Sequence, residues 1–324
     1  MGSTAVSTDA RLGHGHDGGA WMTRLSPRGN LILLLAALLL ASMPYWAQPY
    51  TMQLASSALI AAMFALSLQI LTGAAGLVSL AHAGFFGLGA YTIYLLPGAS
   101  VFVTLPAAML ISGLAAAVIG PLALRTRGFY FLMTTLAFGQ MLFFLFHDTS
   151  LGGGTDGVFV TRPDLLLTVT KATRPKIFLF LNLAMLSGMY LGLWWLMGTM
   201  FGHALAGVRV NQDRMRAMGH DVRGLKLAAF ILAGALAGLA GHMAALTDAF
   251  VSPDLLDWHH SAEALLMVLL GGLGALHGPI LGAFALTLVR ELGLEVTERQ
   301  RLVEGLVILA AVLLLRRGLA GLRS

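Results

Sequence analysis

Three groups of residues in this 324-residue chain can do chemistry, and their spacing limits what that chemistry is. His14, His16 and Asp17 lie close enough to share a metal, but they sit in a polar, glycine-rich stretch that offers no preorganised geometry. His82 and His277 stand in matching settings, each between two glycines: Gly76 and Gly87 in one case, Gly271 and Gly282 in the other. Glycines that interrupt corresponding apolar segments can mark a transport pathway, although in so glycine-rich a chain the match can also be coincidence. Neither histidine has a carboxylate beside it in sequence, which argues against catalysis. Among the few ionisable residues near apolar stretches, Glu263 is the best placed to face a cavity. Asp248, Asp254, Asp257, Arg290, Glu291 and Glu304 all fall near the ends of such stretches and read as interfacial.

Several chemistries are excluded. No H-E-x-x-H pair, Ser–His couple or paired-Asp arrangement supports an intramembrane enzyme. There is no G-x-x-x-x-G-K-[ST] loop, so the chain cannot hydrolyse ATP alone. The absence of cysteine removes disulfides, thiolate nucleophiles and cysteine metal sites. No cofactor is implied. The run GGGTDG from Gly152 to Gly157 has backbone N–H groups that can cradle an anion. With no Lys-Ser/Thr after it and no strand before it, a turn-rich outer segment is the better reading, and it can still border an entrance.

The elements that must position these residues are membrane helices. Hydrophobic residues make up 57% of the chain and charged ones 11%, against roughly 25% charged in a soluble domain. Between Arg28 and Arg125 no Asp, Glu, Lys or Arg occurs. That stretch holds several passes of about 20 residues each. The net charge of +5 does not indicate a nucleic-acid partner, because the basic residues lie between apolar spans and read as topology determinants.

The chain is therefore expected to be an all-α, polytopic integral membrane protein with about ten spans, some short, broken or Gly-rich. Charge-free windows place them near 31–47, 52–72, 78–96, 101–122, 128–147, 176–199, 226–247, 261–276, 279–292 and 302–316. The last pair before 302, flanking Gly278-Pro279, reads as one broken span or a re-entrant hairpin. Residues 1–30 form a flexible cytoplasmic tail, 31–317 the transmembrane domain and 318–324 a second tail. Lys and Arg collect before the first span, after the fourth, after the sixth and after the tenth. With ten spans all four clusters fall on one side, which puts both termini in the cytoplasm. Arg162, Lys171, Arg174 and Lys176 go against this bias, in an outer loop at 148–175.

The inner loop at 203–226 is the one sizeable polar segment on that side. Ala206, Val210, Met215 and Met218 alternate there with Arg209, Asp213, Arg214 and Arg216, and Gly219 supplies a helix stop. Composition leaves two readings open: a rigid handle for a partner protein, or a helix lying on lipid headgroups.

The segment from Arg209 to Phe230 (RVNQDRMRAMGHDVRGLKLAAF) closely resembles the coupling loop of branched-chain amino-acid ABC importer permeases. So do the stretches from Leu71 to Tyr91 (LTGAAGLVSLAHAGFFGLGAY), Thr126 to Met141 (TRGFYFLMTTLAFGQM) and Ala264 to Ala283 (ALLMVLLGGLGALHGPILGA). Together these cover most of residues 55–290. The chain resembles the longer of the family's two permease subunits, which carries the R-G-x-Y-F motif found here from Arg127 to Phe131. It departs from the pattern at Gln140, where the family often has an acid, and at His277, where Trp is common.

The resemblance implies a permease of the bacterial inner membrane that pairs with a second, related permease. Two cytoplasmic ATPase subunits and a periplasmic binding protein would complete the importer, with membrane lipid around it. Arg209, Asn211, Asp213 and Gly219 would lie in the element that docks on the ATPase. The cargo would be branched-chain or related hydrophobic amino acids, with urea, short amides and aromatic compounds as alternatives. An ion-coupled carrier is the rival class; it has no reason to keep the 203–226 loop and would need buried carboxylates or another ion site.

Overall fold

A computed structural model of the chain describes residues 38–45, 47–161 and 173–296, with Gly305 beyond them. The first expected span is thus described only in part. The span at 302–316, the tails and Arg162, Lys171 and Glu304 lie outside the described residues, Gly305 excepted.

The protein is an all-α, polytopic membrane protein. The helices are α1 (Pro49–Gln69), α2 (His82–Leu95), α3 (Val101–Ala123), α4 (Phe129–His147) and α5 (Arg174–Met197). They continue with α6 (Met200–Val210), α7 (Gln212–Ala217), α8 (Val222–Asp248), α9 (Trp258–Gly271) and α10 (Gly278–Val296). Five helical stretches among the described residues are long and apolar enough to cross a bilayer: Pro49–Ala75, α3, α4, α5 and α8. The count of ten spans is not reached among these residues, because α2, α9 and α10 are short or more polar and two spans fall largely outside them.

Burial separates a centre from a rim. The most apolar window of α1 is 83% buried and that of α8 is 72% buried, against 22% for α4 and 33% for α3 and α5. Phe102, Leu110, Val118, Tyr130, Met141 and Trp195 turn outward from the rim helices. In lipid no hydrophobic force draws helices together, so close contact depends on small residues. The glycines of α8 supply it. A Cβ on Gly89 of α2 would stand 2.0 Å from the Gly238 carbonyl oxygen, and one on Gly238 would stand 2.8 Å from the Ala108 carbonyl oxygen of α3. With no side chain at these points, α2 runs parallel and α3 antiparallel to α8 at nearly backbone distance.

The expected span at 78–96 is broken at its start. α1 runs on as a π-helical turn, Ile70–Ala75, and stops at Gly76, whose φ of 68° is the left-handed conformation glycine adopts cheaply. Residues 77–81 are not helical, and α2 begins only at His82. Irregular backbone inside a membrane protein must find partners within the protein. The Leu80 N–H donates to Thr135 Oγ1 of α4 at 3.1 Å, and the Ala83 N–H to Ser261 Oγ of α9 at 2.7 Å.

α9 and α10 pack against each other as a hairpin around 272–277. Gly271 and Gly282 let its arms touch: their Cβ atoms would lie 1.9 Å from the Gly278 and Met267 carbonyl oxygens. At the opposite end, β1 (Val158–Phe159) pairs antiparallel with β2 (Phe250–Val251). Gly153, Gly154 and Gly157 just before it all have positive φ, the turn-rich geometry expected of that run.

Candidate functional site

Two places bring polar residues together in ways the packing alone does not require. One is the end of the bundle where α8 begins. Arg125, Arg127, Arg209, Arg214, Arg216, Arg223 and Lys226 gather there against Asp213 and Asp221 among the described residues. This basic end carries the whole 203–226 segment, folded as α6, α7 and the first turn of α8.

Its local structure follows from five side chains and one glycine. Asn211 breaks α6 from α7 with extended backbone, and its Oδ1 accepts from the N–H groups of Asp213 (3.1 Å) and Arg214 (2.9 Å). That is an N-cap, filling two of the donors a helix start leaves open. Gly219 ends α7 with φ at 85°. The His220 N–H reaches the Met215 carbonyl and the Gly219 N–H reaches that of Arg216, at 3.1 and 2.9 Å, a Schellman arrangement. Asp221 then caps α8, accepting from Arg223 and Gly224 N–H at 3.1 Å each. Met215, Val208 and Val222 pack into a small apolar cluster beneath. Two faces differ sharply: Met215 is buried, whereas Val210 is 80% and Met218 61% exposed.

The segment is tied to the centre of the bundle by Arg209. Its guanidinium donates to the Gly73 carbonyl in the π-helical end of α1. A helix leaves its last carbonyls without internal partners, and a cation there also meets the negative end of the helix dipole. Burial pushes the Arg209 guanidinium below its ordinary value. Asp213, by contrast, is fully at the surface, paired to Arg216 at 3.2 Å.

The second place is a cavity of about 360 Å³ toward the opposite end, between α1, α2, α8, α9 and α10. Glu263 lines it together with Arg290, His260 and Asp248. Glu263 Oε1 accepts from Arg290 Nη2 at 2.8 Å, and Oε2 lies 3.5 Å from His260 Nδ1. The remaining wall is largely apolar, with Ile60, Phe64, Phe86 and Met267.

His82 and His277 do not join Glu263 in this cavity. The rings of Phe64 and Phe86, 4.7 Å apart, line it, and His82 stacks on Phe64 at 5.5 Å. There it is fully buried, with Nε2 2.7 Å from Ser67 Oγ. His277 sits half-buried in the hairpin turn, immediately before α10. The shared glycine setting does correspond to a shared feature: each histidine stands at the start of a helix that follows a break.

Two linking interactions escaped the sequence reading. The Gln69 side chain donates through Nε2 to the Leu273 and Ala275 carbonyls, both at 3.2 Å, pinning the hairpin turn to α1. Gln140 donates to Asp257 Oδ1 at 3.2 Å, and His259 lies 2.7 Å from the other oxygen. Burial works to raise the Asp257 carboxyl, but these bonds outweigh it and hold the group below its usual value. An acid at position 140 would oppose that carboxylate, which gives the departure from the family pattern a local reason.

A bundle of helices long and apolar enough to cross a membrane, with a break after α1, a cavity toward one end and a capped polar segment at the other, has the parts a membrane permease needs. The chain belongs to the family described as the branched-chain amino acid transport system permease component, whose model matches residues 50–315. It is 31% identical over 301 residues to the high-affinity branched-chain amino acid transport system permease protein LivM of Escherichia coli K12, covering 85% of this chain and 71% of that one. LivM of Salmonella typhimurium matches to the same extent. A probable LivM of Methanocaldococcus jannaschii is 28% identical over 167 residues, half of this chain and 47% of that one. No solved structure matches the chain.

Proposed function

We propose that the chain is one of two permease subunits in an ATP-driven importer that carries branched-chain or related hydrophobic amino acids across a bacterial inner membrane. A second permease completes the pore, two ATPase subunits dock on the basic end, and a binding protein delivers cargo to the opposite end. The basic end is then cytoplasmic, in keeping with the bias of Lys and Arg toward that side.

The observation that carries this reading is the build of the 203–226 segment. A helix resting on headgroups needs an apolar face and a polar, often basic one, but neither caps that stiffen it nor an anchor into the bundle. This segment has caps at Asn211, Gly219 and Asp221 that stiffen it, an exposed face mixing Val210 and Met218 with Asp213 and Arg216, and an anchor at Arg209 into the buried π-helical end of α1. Such an element can pass a push from outside to the core.

The test is reconstitution. The chain, produced with ATPase, permease and binding-protein neighbours from its own genome, should take up leucine into vesicles only with ATP and only with all partners present. Uptake by the isolated chain in a sodium or proton gradient would overturn the reading in favour of an ion-coupled carrier.

A further inference from the structure

We propose that the cavity between α1, α8, α9 and α10 is a binding site for a small aliphatic amino acid in its zwitterionic form. Its ammonium group would meet Glu263, its carboxylate Arg290, and its side chain Phe64, Phe86 and Met267. This deepens the transport reading and rests on it.

The chemistry of the wall selects the ligand. A cavity of about 360 Å³ lies in the range of small-molecule sites, which are apolar with a few convergent polar groups. Here the polar groups are of both signs: Glu263 holds Arg290 at 2.8 Å and has His260 at 3.5 Å from its other oxygen, with the Asp248 carboxylate on the same wall. The Glu263 and Arg290 side chains are 31% and 41% exposed, so the pair borders open space rather than filling a packed core. Pulling such a pair apart costs each charge its partner unless a replacement takes its place. A zwitterion brings both replacements in one molecule. Glu263 can pass from the guanidinium to the ammonium group while Arg290 passes to the carboxylate, and the net charge in the cavity never changes. A neutral solute offers no exchange, and a singly charged one replaces the partner on one side only. The aromatic pair at the wall then fits an aliphatic side chain in place of a second polar group.

The absence of cysteine from the chain makes the site directly testable. Ser57→Cys and Thr287→Cys each place one thiol on the cavity wall, and Leu114→Cys places a control on the outer face of α3. In the assembled importer, a water-soluble maleimide should modify positions 57 and 287 and spare 114. Leucine should slow modification by the fraction of sites left empty, about tenfold at ten times its half-saturating concentration. Leucinamide, which lacks the carboxylate, should protect far less. The double variant Glu263→Gln/Arg290→Gln keeps size and removes both charges, so protection by leucine should vanish while the subunits still copurify. A merely structural ion pair predicts the opposite, with protection retained.

Equal labelling with and without leucine, or equal protection by leucinamide, overturns the proposal. So does protection found without leucine in phosphatidylethanolamine vesicles and lost in detergent, which would assign the cavity to a lipid headgroup. An assembly that protects its thiols but fails to import leucine with ATP would leave the site standing and remove the transport reading instead.

Discussion

Arg209 donates a hydrogen bond to the carbonyl oxygen of Gly73, joining the segment at the basic end to the π-helical end of α1. Both partners are matched to the task. The wider π turn ends in carbonyls with no helical donor, and Arg offers several donors in a rigid fork. A hydrogen bond to a charged group contributes roughly 1.5–3 kcal/mol, enough to shift a coupled equilibrium about tenfold or more. Arg209→Ala is therefore expected to leave ATP hydrolysis running while uptake falls by at least about tenfold. The ratio of ATP hydrolysed to leucine imported measures it. An unchanged ratio would mean that motion enters the bundle elsewhere.

Four residues along, the same helix grips the α9–α10 hairpin. Gln69→Leu removes both bonds to the Leu273 and Ala275 carbonyls, each about 1 kcal/mol. Backbone amides of 272–277 should then exchange with deuterium faster, with α8 unaffected. Gly73→Ala supplies an independent route to the same outcome. Its new Cβ would stand 2.6 Å from Gln69 Nε2 and displace the amide without touching the hairpin. If Gly73→Ala leaves the hairpin amides protected, Gln69 is not what holds the turn.

These two links show where sequence reading stops. Apolar windows locate α3, α4, α5 and α8 to within a few residues, because length and hydropathy are local properties. The amphipathic stretch around Asn211 and Gly219 was legible for the same reason: caps act within three or four residues. Gln69 was not, since an uncharged amide in an apolar run carries no signal, and its partners lie more than 200 positions away. The Glu263–Arg290 pair was visible only as two separate charges near span ends. The hairpin had to fold before they met.

Helix packing gives a stability prediction. Gly89→Ala puts a methyl group 2.0 Å from the Gly238 carbonyl, which is backbone and cannot swing aside. Overpacking of this kind costs typically 1–3 kcal/mol. The purified chain should unfold at a lower temperature in detergent. Gly188→Ala, on the outer side of α5 with nothing within 4 Å, should leave it unchanged. Equal melting of both variants would contradict the close approach of α2 and α8.

The docking role assigned to α7 can be separated from its folding. Asp213 has a side chain 85% exposed, paired across one helical turn to Arg216, so Asp213→Arg inverts a surface charge with little cost to the fold. Gly219 differs. A side chain there meets nothing within 4 Å, and the penalty lies in its φ of 85°, about 1–2 kcal/mol for a β-carbon residue and less for Asn. If α7 is the docking element, Asp213→Arg should weaken copurification of the ATPase and abolish uptake while the permease inserts normally. Gly219→Val should uncouple hydrolysis from uptake by tilting α7 away from its Schellman turn, and Gly219→Asn should restore much of the activity. Asn211→Ala removes a cap worth about 1 kcal/mol and should fall between them. That order, Gly219→Val worst, Asn211→Ala between and Gly219→Asn mildest, follows from the left-handed backbone at Gly219 and the side-chain cap at Asn211. A headgroup-bound helix would instead respond to the apolar pair: Met218→Ser would then matter more than Asp213→Arg, and the docking assignment would have to be given up.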